Sequence, residues 1–272
     1  LYFVGVWLNF PAVRGLFSSP RKPQSLLNST PGAAMKTVGI IGGMSWESSL
    51  LYYRIMNELV KERLGGLHSC QCLMYSVDFA DIEALQSAGD WDRLTDCMVE
   101  AALRLTRGGA EAVLIATNTM HKCAPQVQAA LDGQTSGSVP LLHIADATGQ
   151  SLKAAGITRA GLLGTRYTME MDFYSGRLAE KFGIETVIPG EADRGIVHDV
   201  IYGELVRGVV RQESRREYAR IMAALAEQGA QGVILGCTEI PMLVRPEDTE
   251  LPLFDTTRIH AEAAVDFALA EA

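Results

Sequence analysis

The sequence predicts an α/β protein of two pseudo-symmetric domains, each a parallel sheet flanked by helices, with a cleft between them. Three observations carry that expectation. Short apolar runs alternate with longer amphipathic stretches from Lys36 onward, the pattern of buried strands joined by crossover helices. The window from Arg107 to Met120 matches the window from Glu227 to Ile240 without a gap, setting Ala110 over Ala230, Val113 over Val233 and Thr117 over Cys237 at an offset of 120. The stretch Lys36 to Gly42 is echoed by Arg159 to Gly164, with Gly39 and Gly161 separated by 122 positions. Two strands per half therefore repeat, and related strand ends can meet in one cleft.

The elements follow in order. Thr37 to Ile41 reads as a buried strand that Gly42-Gly43 ends. Trp46 to Leu64 carries Leu50, Tyr53, Ile55, Met56, Leu59 and Val60 at helical spacing and stops at Gly65-Gly66. Cys70 to Val77 is a strand, Asp90 to Arg107 a helix ended by Gly108-Gly109, Ala112 to Ala116 a strand, and Thr119 to Leu131 a helix. A polar, Gly-rich loop spans 132–138, Pro140 to Ile144 is a strand, and a helix runs on to Ala155. The second half repeats the cycle: strand Arg159 to Gly164, helix Thr168 to Phe182, strand Ile184 to Ile188, helices between Asp193 and Gln228, strands Val233 to Gly236 and Leu251 to Phe254, and a last helix Thr256 to Ala270. That last helix is expected to pack back on the first domain, which gives a first domain of 35–139 plus 255–272 and a second of 140–254. Residues 1–34 read differently, first apolar and aromatic with Pro11 and Arg14 inside, then rich in Ser, Pro and Gly. They are expected to be a disordered or artefactual extension with no folded role. A targeting segment is disfavoured by the missing basic start, and a membrane span by the broken apolar run.

Composition bounds the partners. A chain of 272 residues, 48% hydrophobic, can build one large core or two smaller ones. The net charge of −8 and the absence of a Lys/Arg run argue against nucleic acid and anionic membranes. Five cysteines without framework spacing suit free thiols in a reducing cytoplasm. An acidic overall balance does not forbid a small anionic substrate, because a site can be locally positive.

In parallel sheets ligands gather at the carboxyl ends of strands. The polar groups there are Gly43-Met44-Ser45, Ser76 and Asp78, Thr117-Asn118-Thr119, Thr165 to Thr168, and Cys237-Thr238-Glu239. Gly39, Gly42 and Gly43 lack the spacing of a dinucleotide loop and suit close backbone approach instead. Cys237 stands where a strand yields to a helix, with Thr238 as a candidate N-cap and Pro241 in the first turn. A thiol at a helix N-terminus has a lowered pKa and is a usable base or nucleophile. The bland alternative is a buried structural Cys, as Cys70, Cys72 and Cys97 are expected to be. Thr117 alone would pass as an ordinary strand-end residue; its match to Cys237 gives it interest. Cys123 and His121 lie two apart on one helix and make a poor dyad. His143 is expected to make a structural hydrogen bond, and no metal-ligand spacing occurs. The charged run Arg211 to Arg220 reads as a solvated helix face.

Gly42 to Ser48, Thr117 to His121 and Gly236 to Glu239 together resemble the aspartate/glutamate racemase family, and the resemblance spans Met35 to the end. The resemblance implies an active site between two α/β domains, no pyridoxal phosphate, no metal, and a homodimer. It also implies two opposed acid/base residues at positions 117 and 237, normally both Cys. Here Thr117 replaces the first, as in one branch of the family, while arylmalonate-type decarboxylases also retain only the second Cys. By the same resemblance Met44, Asn118, Thr119, Thr168 and Thr238 contact substrate. Arg166 and Arg177 are the basic candidates for a side-chain carboxylate, Arg177 ranking higher.

A thiol can be poised as a base near neutral pH, whereas a Thr hydroxyl can only donate or relay a proton. The expected activity is therefore cofactor-independent racemisation of aspartate or glutamate, faster from the L-enantiomer, whose Cα–H faces the base of the second half in the family. The alternatives are a decarboxylase or isomerase of a small dicarboxylate on the same scaffold, and a non-catalytic two-lobed binding protein.

Overall fold

Two four-stranded parallel sheets form from the apolar runs, with helices on their faces. The computed structural model describes residues 35–133 and 138–270. The expectation for residues 1–34, and for the centre of the loop at 132–138, lies outside the described residues. The first half contains β1 (Val38–Gly42), α1 (Trp46–Leu64), β2 (Cys72–Ser76), α2 (Phe79–Ala88), α3 (Trp91–Arg107), β3 (Ala112–Ile115), α4 (Ala124–Asp132), β4 (Leu141–Leu142) and α5 (Ile144–Ala154). The second half contains β5 (Arg159–Gly164), α6 (Arg166–Glu170), α7 (Asp172–Phe182), β6 (Glu185–Val187), α8 (Glu191–Gly203), α9 (Gln212–Glu227), β7 (Val233–Gly236), α10 (Ile240–Leu243), β8 (Leu253–Asp255) and α11 (Thr256–Leu269). Strand orders are β2-β1-β3-β4 and β6-β5-β7-β8, so the two sheets share one topology, as the internal repeat predicts.

Each central strand is buried along nearly its whole length, which is why β1 and β5 are apolar without alternation. Helix α3 shows why an amphipathic run folds as it does. Asp90 caps its start, and Leu94, Met98, Ala101, Ala102 and Leu105 form one buried stripe. Gly39 lets this helix close on the sheet, because a Cβ there would stand 2.9 Å from Ala110 Cβ and 3.1 Å from Leu105 Cβ. Gly161 does the same in the second half, where an added Cβ would lie 2.9 Å from Leu225 Cδ1.

The halves exchange their last helices. Helix α5 follows β4, yet its Ile144, Ala145 and Leu152 join the core of the second sheet. Helix α11 follows β8, yet Ala261, Ala264, Val265 and Ala268 complete the core under β1 and α1. Strand β4 pairs with β3, so the first sheet runs past the boundary expected at residue 139.

Local differences have local causes. Pro125 enters at the start of α4, and the preceding Thr119–Cys123 tightens into a 3-10 turn instead of continuing one helix. Met171, at φ −89° and ψ 145°, separates α6 from α7 within the single helix expected there. His143 caps α5 by accepting from the Ala145 N–H at 3.1 Å, so it closes a helix start and does not lie in a strand. Arg215 is not a solvated charge: it is largely buried and pairs with Asp248 at 2.8 Å. Helix α2 has no counterpart in the sequence expectation. Asp78 caps it, accepting from Ala80 N–H at 3.0 Å, and Gly89 ends it in the left-handed region.

Candidate active site

The offset of 120 that relates Thr117 to Cys237 also maps Ser45 onto Thr165 and Ser48 onto Thr168. The structure gives these pairs the same local job. Ser45 caps α1 by accepting from Ser48 N–H, and Thr165 caps α6 by accepting from Thr168 N–H. In each pair the two hydroxyls lie 3.2 Å apart. Each pair then reaches across to the strand end of the other half. Thr119 Oγ1 is 3.1 Å from Thr165 and 3.4 Å from Thr168. On the other side Ser45 and Ser48 donate to Glu239 Oε1 at 2.8 and 2.7 Å, and Ser48 lies 2.5 Å from Thr238 Oγ1. The cleft between the sheets is thus laced by hydroxyls from two capped helix starts.

Thr117 and Cys237 line the same cavity, with Met44, Ser45, Asn118, Thr119, Thr165, Thr238 and Glu239. Four of the five strand-end loops therefore converge as expected. The fifth contributes through α2, whose Phe79 and Gln86 form part of the wall. Thr168 lies beneath that wall, fully buried, where it holds Thr165 and Thr119. The space is about 30 Å³, room for little more than one water.

The symmetry breaks in its chemistry. Position 239 holds a carboxylate where position 119 holds a hydroxyl. Glu239 accepts four hydrogen bonds: Ser45 and Ser48 on Oε1, and Thr238 at 2.7 Å and Cys237 Sγ at 3.0 Å on Oε2. The buried carboxylate is therefore fully paired, as a buried charge must be. It also reverses the expected state of the thiol. Burial, then the charge of Glu239 and the hydrogen bond to it, push Cys237 well above the ordinary thiol range. The expected helix effect is weak because α10 has a single turn, and Glu239 rather than Thr238 occupies its N-cap position.

Two acceptors at the wall lack partners among the described residues, Asn118 Oδ1 and Gln86 Oε1. The orientation of Asn118 follows from its neighbours. Thr256 Oγ1 donates to the Leu235 carbonyl at 2.8 Å, so it accepts from Asn118 Nδ2 at 3.0 Å and leaves Oδ1 without a partner. Gln86 donates to Met120 Sδ at 3.2 Å. No Lys or Arg stands among the described residues lining the cavity. Arg177 does not join the other candidates. It binds Asp146 through Nε and Nη2, with Lys181 on the same carboxylate, and lines a separate surface cavity beside His143. Burial pushes the Asp146 carboxyl up, but these two cations outweigh it and hold the group below its ordinary value.

Gln86, Phe79 and Tyr202 are wall residues that sequence reasoning did not name, while Ser45, Ser48 and Glu239 were named only within strand-end loops or motifs and given no role. Asp78 and Gly89 bracket α2 and would have marked the helix that carries Gln86. Tyr202 comes from α8, and its phenol is pushed up by burial first and by Cys237 next, so it remains a hydroxyl donor.

The model of the Asp/Glu/hydantoin racemase family matches residues 41–264. A candidate Asp/Glu racemase from Yersinia pestis shares 52% identity and a TM-score of 0.80, over 87% of this chain and 100% of its own. An aspartate racemase homologue from Pyrococcus horikoshii OT3 shares 32% identity and a TM-score of 0.74 over the same shares. A glutamate racemase from Pseudomonas paraeruginosa is 26% identical over 200 residues, 72% of this chain and 69% of that protein. With both sheets, the paired strand ends and the family match in agreement, the chain belongs to the Asp/Glu/hydantoin racemase family.

Proposed function

We propose that this protein racemises acidic amino acids without a cofactor and works faster from the L-enantiomer. The observation that carries the reading is the one-sided placement of bases. Sulfur and carboxylate meet at the second strand end, while Thr117 and Thr119 bring only hydroxyls to the same cavity from the first. In this reading Cys237 takes the Cα proton as its own proton passes to Glu239 Oε2. The carbanion then accepts a proton on its other face from the Thr117 hydroxyl, which recovers one from solvent as Glu239 gives its proton up to solvent. Asn118 Oδ1 and Gln86 Oε1 receive the α-ammonium group. The hydroxyls of Thr119 and Thr238, with nearby peptide N–H groups, hold carboxylates, and Met44 closes the wall. Thr168 acts through Thr165 and Thr119. The cytoplasm and a homodimer complete the proposal.

A wider substrate range is the second reading, favoured by the absence of Lys and Arg among the described lining residues. A broad-specificity amino-acid racemase, RacX of Bacillus subtilis, is 22% identical over 184 residues, 66% of this chain and 75% of that protein. Initial rates from every L- and D-amino acid, followed by circular dichroism without added cofactors, test both readings. The expected result is turnover of L-aspartate or L-glutamate with a much lower kcat/KM from the D-form, and a gain of D-form activity in Thr117→Cys. Equal rates from both enantiomers would end the one-base account. Carbon dioxide release without Cα exchange would replace racemisation by decarboxylation.

A further inference from the structure

His121 is fully buried one turn beyond Thr117, and the chemistry above does not use it. Its ring makes two hydrogen bonds, both to the backbone. Nε2 accepts from the Ile144 N–H at 3.1 Å, so the proton sits on Nδ1, which donates to the Thr117 carbonyl at 2.8 Å. Burial first, then the neighbouring His143 and His260, hold the imidazole well below its ordinary pKa, which keeps this neutral form.

Each bond satisfies a group that secondary structure leaves open. The 3-10 turn sends the His121 N–H to the Asn118 carbonyl at 3.1 Å, so the Thr117 carbonyl receives no backbone donor from an α-helical turn. Ile144 is the first residue of α5, where helix N–H groups have no intrahelical acceptor. One ring therefore ties the strand end bearing Thr117 to the segment that crosses from the first sheet to the second. Two further imidazoles hold that segment. His143 accepts from the Ala145 N–H at 3.1 Å, and His260 Nε2, from α11, meets the Leu142 carbonyl at 2.7 Å. Tyr52 of α1 binds His260 Nδ1 at 2.9 Å and joins the same cluster.

We propose that His121 is a positioning residue that locks the Thr117 main chain to the interlobe crossover at Ile144. It sets where the Thr117 hydroxyl stands in the cavity. Its catalytic consequence rests on the racemase reading. Cys237 delivers no group through this link, so deprotonation from its side is independent of His121, while protonation from the Thr117 side depends on it.

The test uses the full chain and L-aspartate in D₂O. Two products are counted, L-aspartate deuterated at Cα by return to the same face, and deuterated D-aspartate formed by inversion. His121→Leu should lower the ratio of inversion to exchange by about tenfold or more, since a misplaced donor costs rate steeply. His121→Gln, whose amide can donate to Thr117 and accept from Ile144, should restore the ratio to within about twofold, the spread of ordinary context effects on such bonds. Equal loss of exchange and inversion in His121→Leu, or a ratio in His121→Gln as low as in His121→Leu, overturns the proposal. Should the Leu variant not fold, His121→Asn replaces it, since its shorter amide cannot span both partners. If the native chain exchanges no amino acid, the racemase reading fails by itself. The positioning claim is then decided by amide hydrogen exchange. Joint loss of protection at 117–119 and 143–146 in the shortened variant, reversed in His121→Gln, supports it, and independent behaviour of the two segments overturns it.

Discussion

A carboxylate 3.0 Å from a thiol acts on Cys237 in two opposing ways. It accepts the thiol proton, which helps the sulfur become a base, and its charge disfavours the thiolate. Glu239→Gln separates the two effects, because the amide keeps the shape and loses both charge and basicity. In the racemase reading Glu239 takes the thiol proton within the step, so activity from L-aspartate should stay nearly flat from neutral pH upward in the native chain. In Glu239→Gln the thiol must ionise first, so activity should climb with pH, along a limb lying below the raised native thiol pKa because the negative neighbour is gone. At neutral pH the rate should fall about 10²-fold or more, the usual cost of losing general-base assistance. A pH profile of kcat/KM reads both, and a flat profile in Glu239→Gln with an unchanged rate would contradict the account. At this scale the sequence marked Thr117 and Cys237, because a repeat exposes paired positions. It placed Glu239 in a strand-end loop but gave it no role, because its hydrogen bonds come from Ser45 and Ser48, 194 and 191 residues away. Nor did it separate Arg177 from the cleft, since the pairing partner Asp146 lies on another helix.

Among the elements, the two glycines of the repeat allow a direct comparison. An Ala at position 39 meets the Cβ atoms of Ala110 and Leu105, which move only with the backbone. At position 161 the first atom met is the end of the Leu225 side chain, which can turn aside. Gly39→Ala should therefore cost about 1–3 kcal/mol by overpacking, and Gly161→Ala less; thermal unfolding of both variants measures the difference. Strands and long helices were legible because β1, β5 and α3 carry their burial pattern in local spacing. Helix α2 was not, since only Ile82 and Gln86 are buried along it and it shows no strong apolar stripe. The break at Cys123 comes where Pro125 opens a new helix, α4.

For the molecule as a whole, three buried imidazoles at the interlobe crossing set a limit on acid tolerance. His260 is held at about 4 and His143 at about 2, with burial as the leading cause in both, and His121 lies well below its ordinary value. A depressed histidine pKa contributes stability that is complete above the unfolded value near 6.5 and is lost as pH falls toward the folded value. His260 alone should withdraw about 3 kcal/mol by pH 4, at 1.36 kcal/mol per unit. Thermal stability should thus be flat above about pH 7 and drop between about 6.5 and 4; a midpoint unchanged across that window would refute the neutral cluster. No helix among the described residues is long and apolar enough to cross a membrane. By itself the sequence determined the α/β class, the twofold repeat and the two positions that face one cavity, because each is written in local spacing or in self-similarity. Tertiary structure alone decided the exchange of α5 and α11 between the sheets, the carboxylate beside Cys237 and the histidine behind Thr117. Those features depend on residues far apart in the chain whose polar groups must find partners once buried, and that requirement exists only after the two halves have closed on each other.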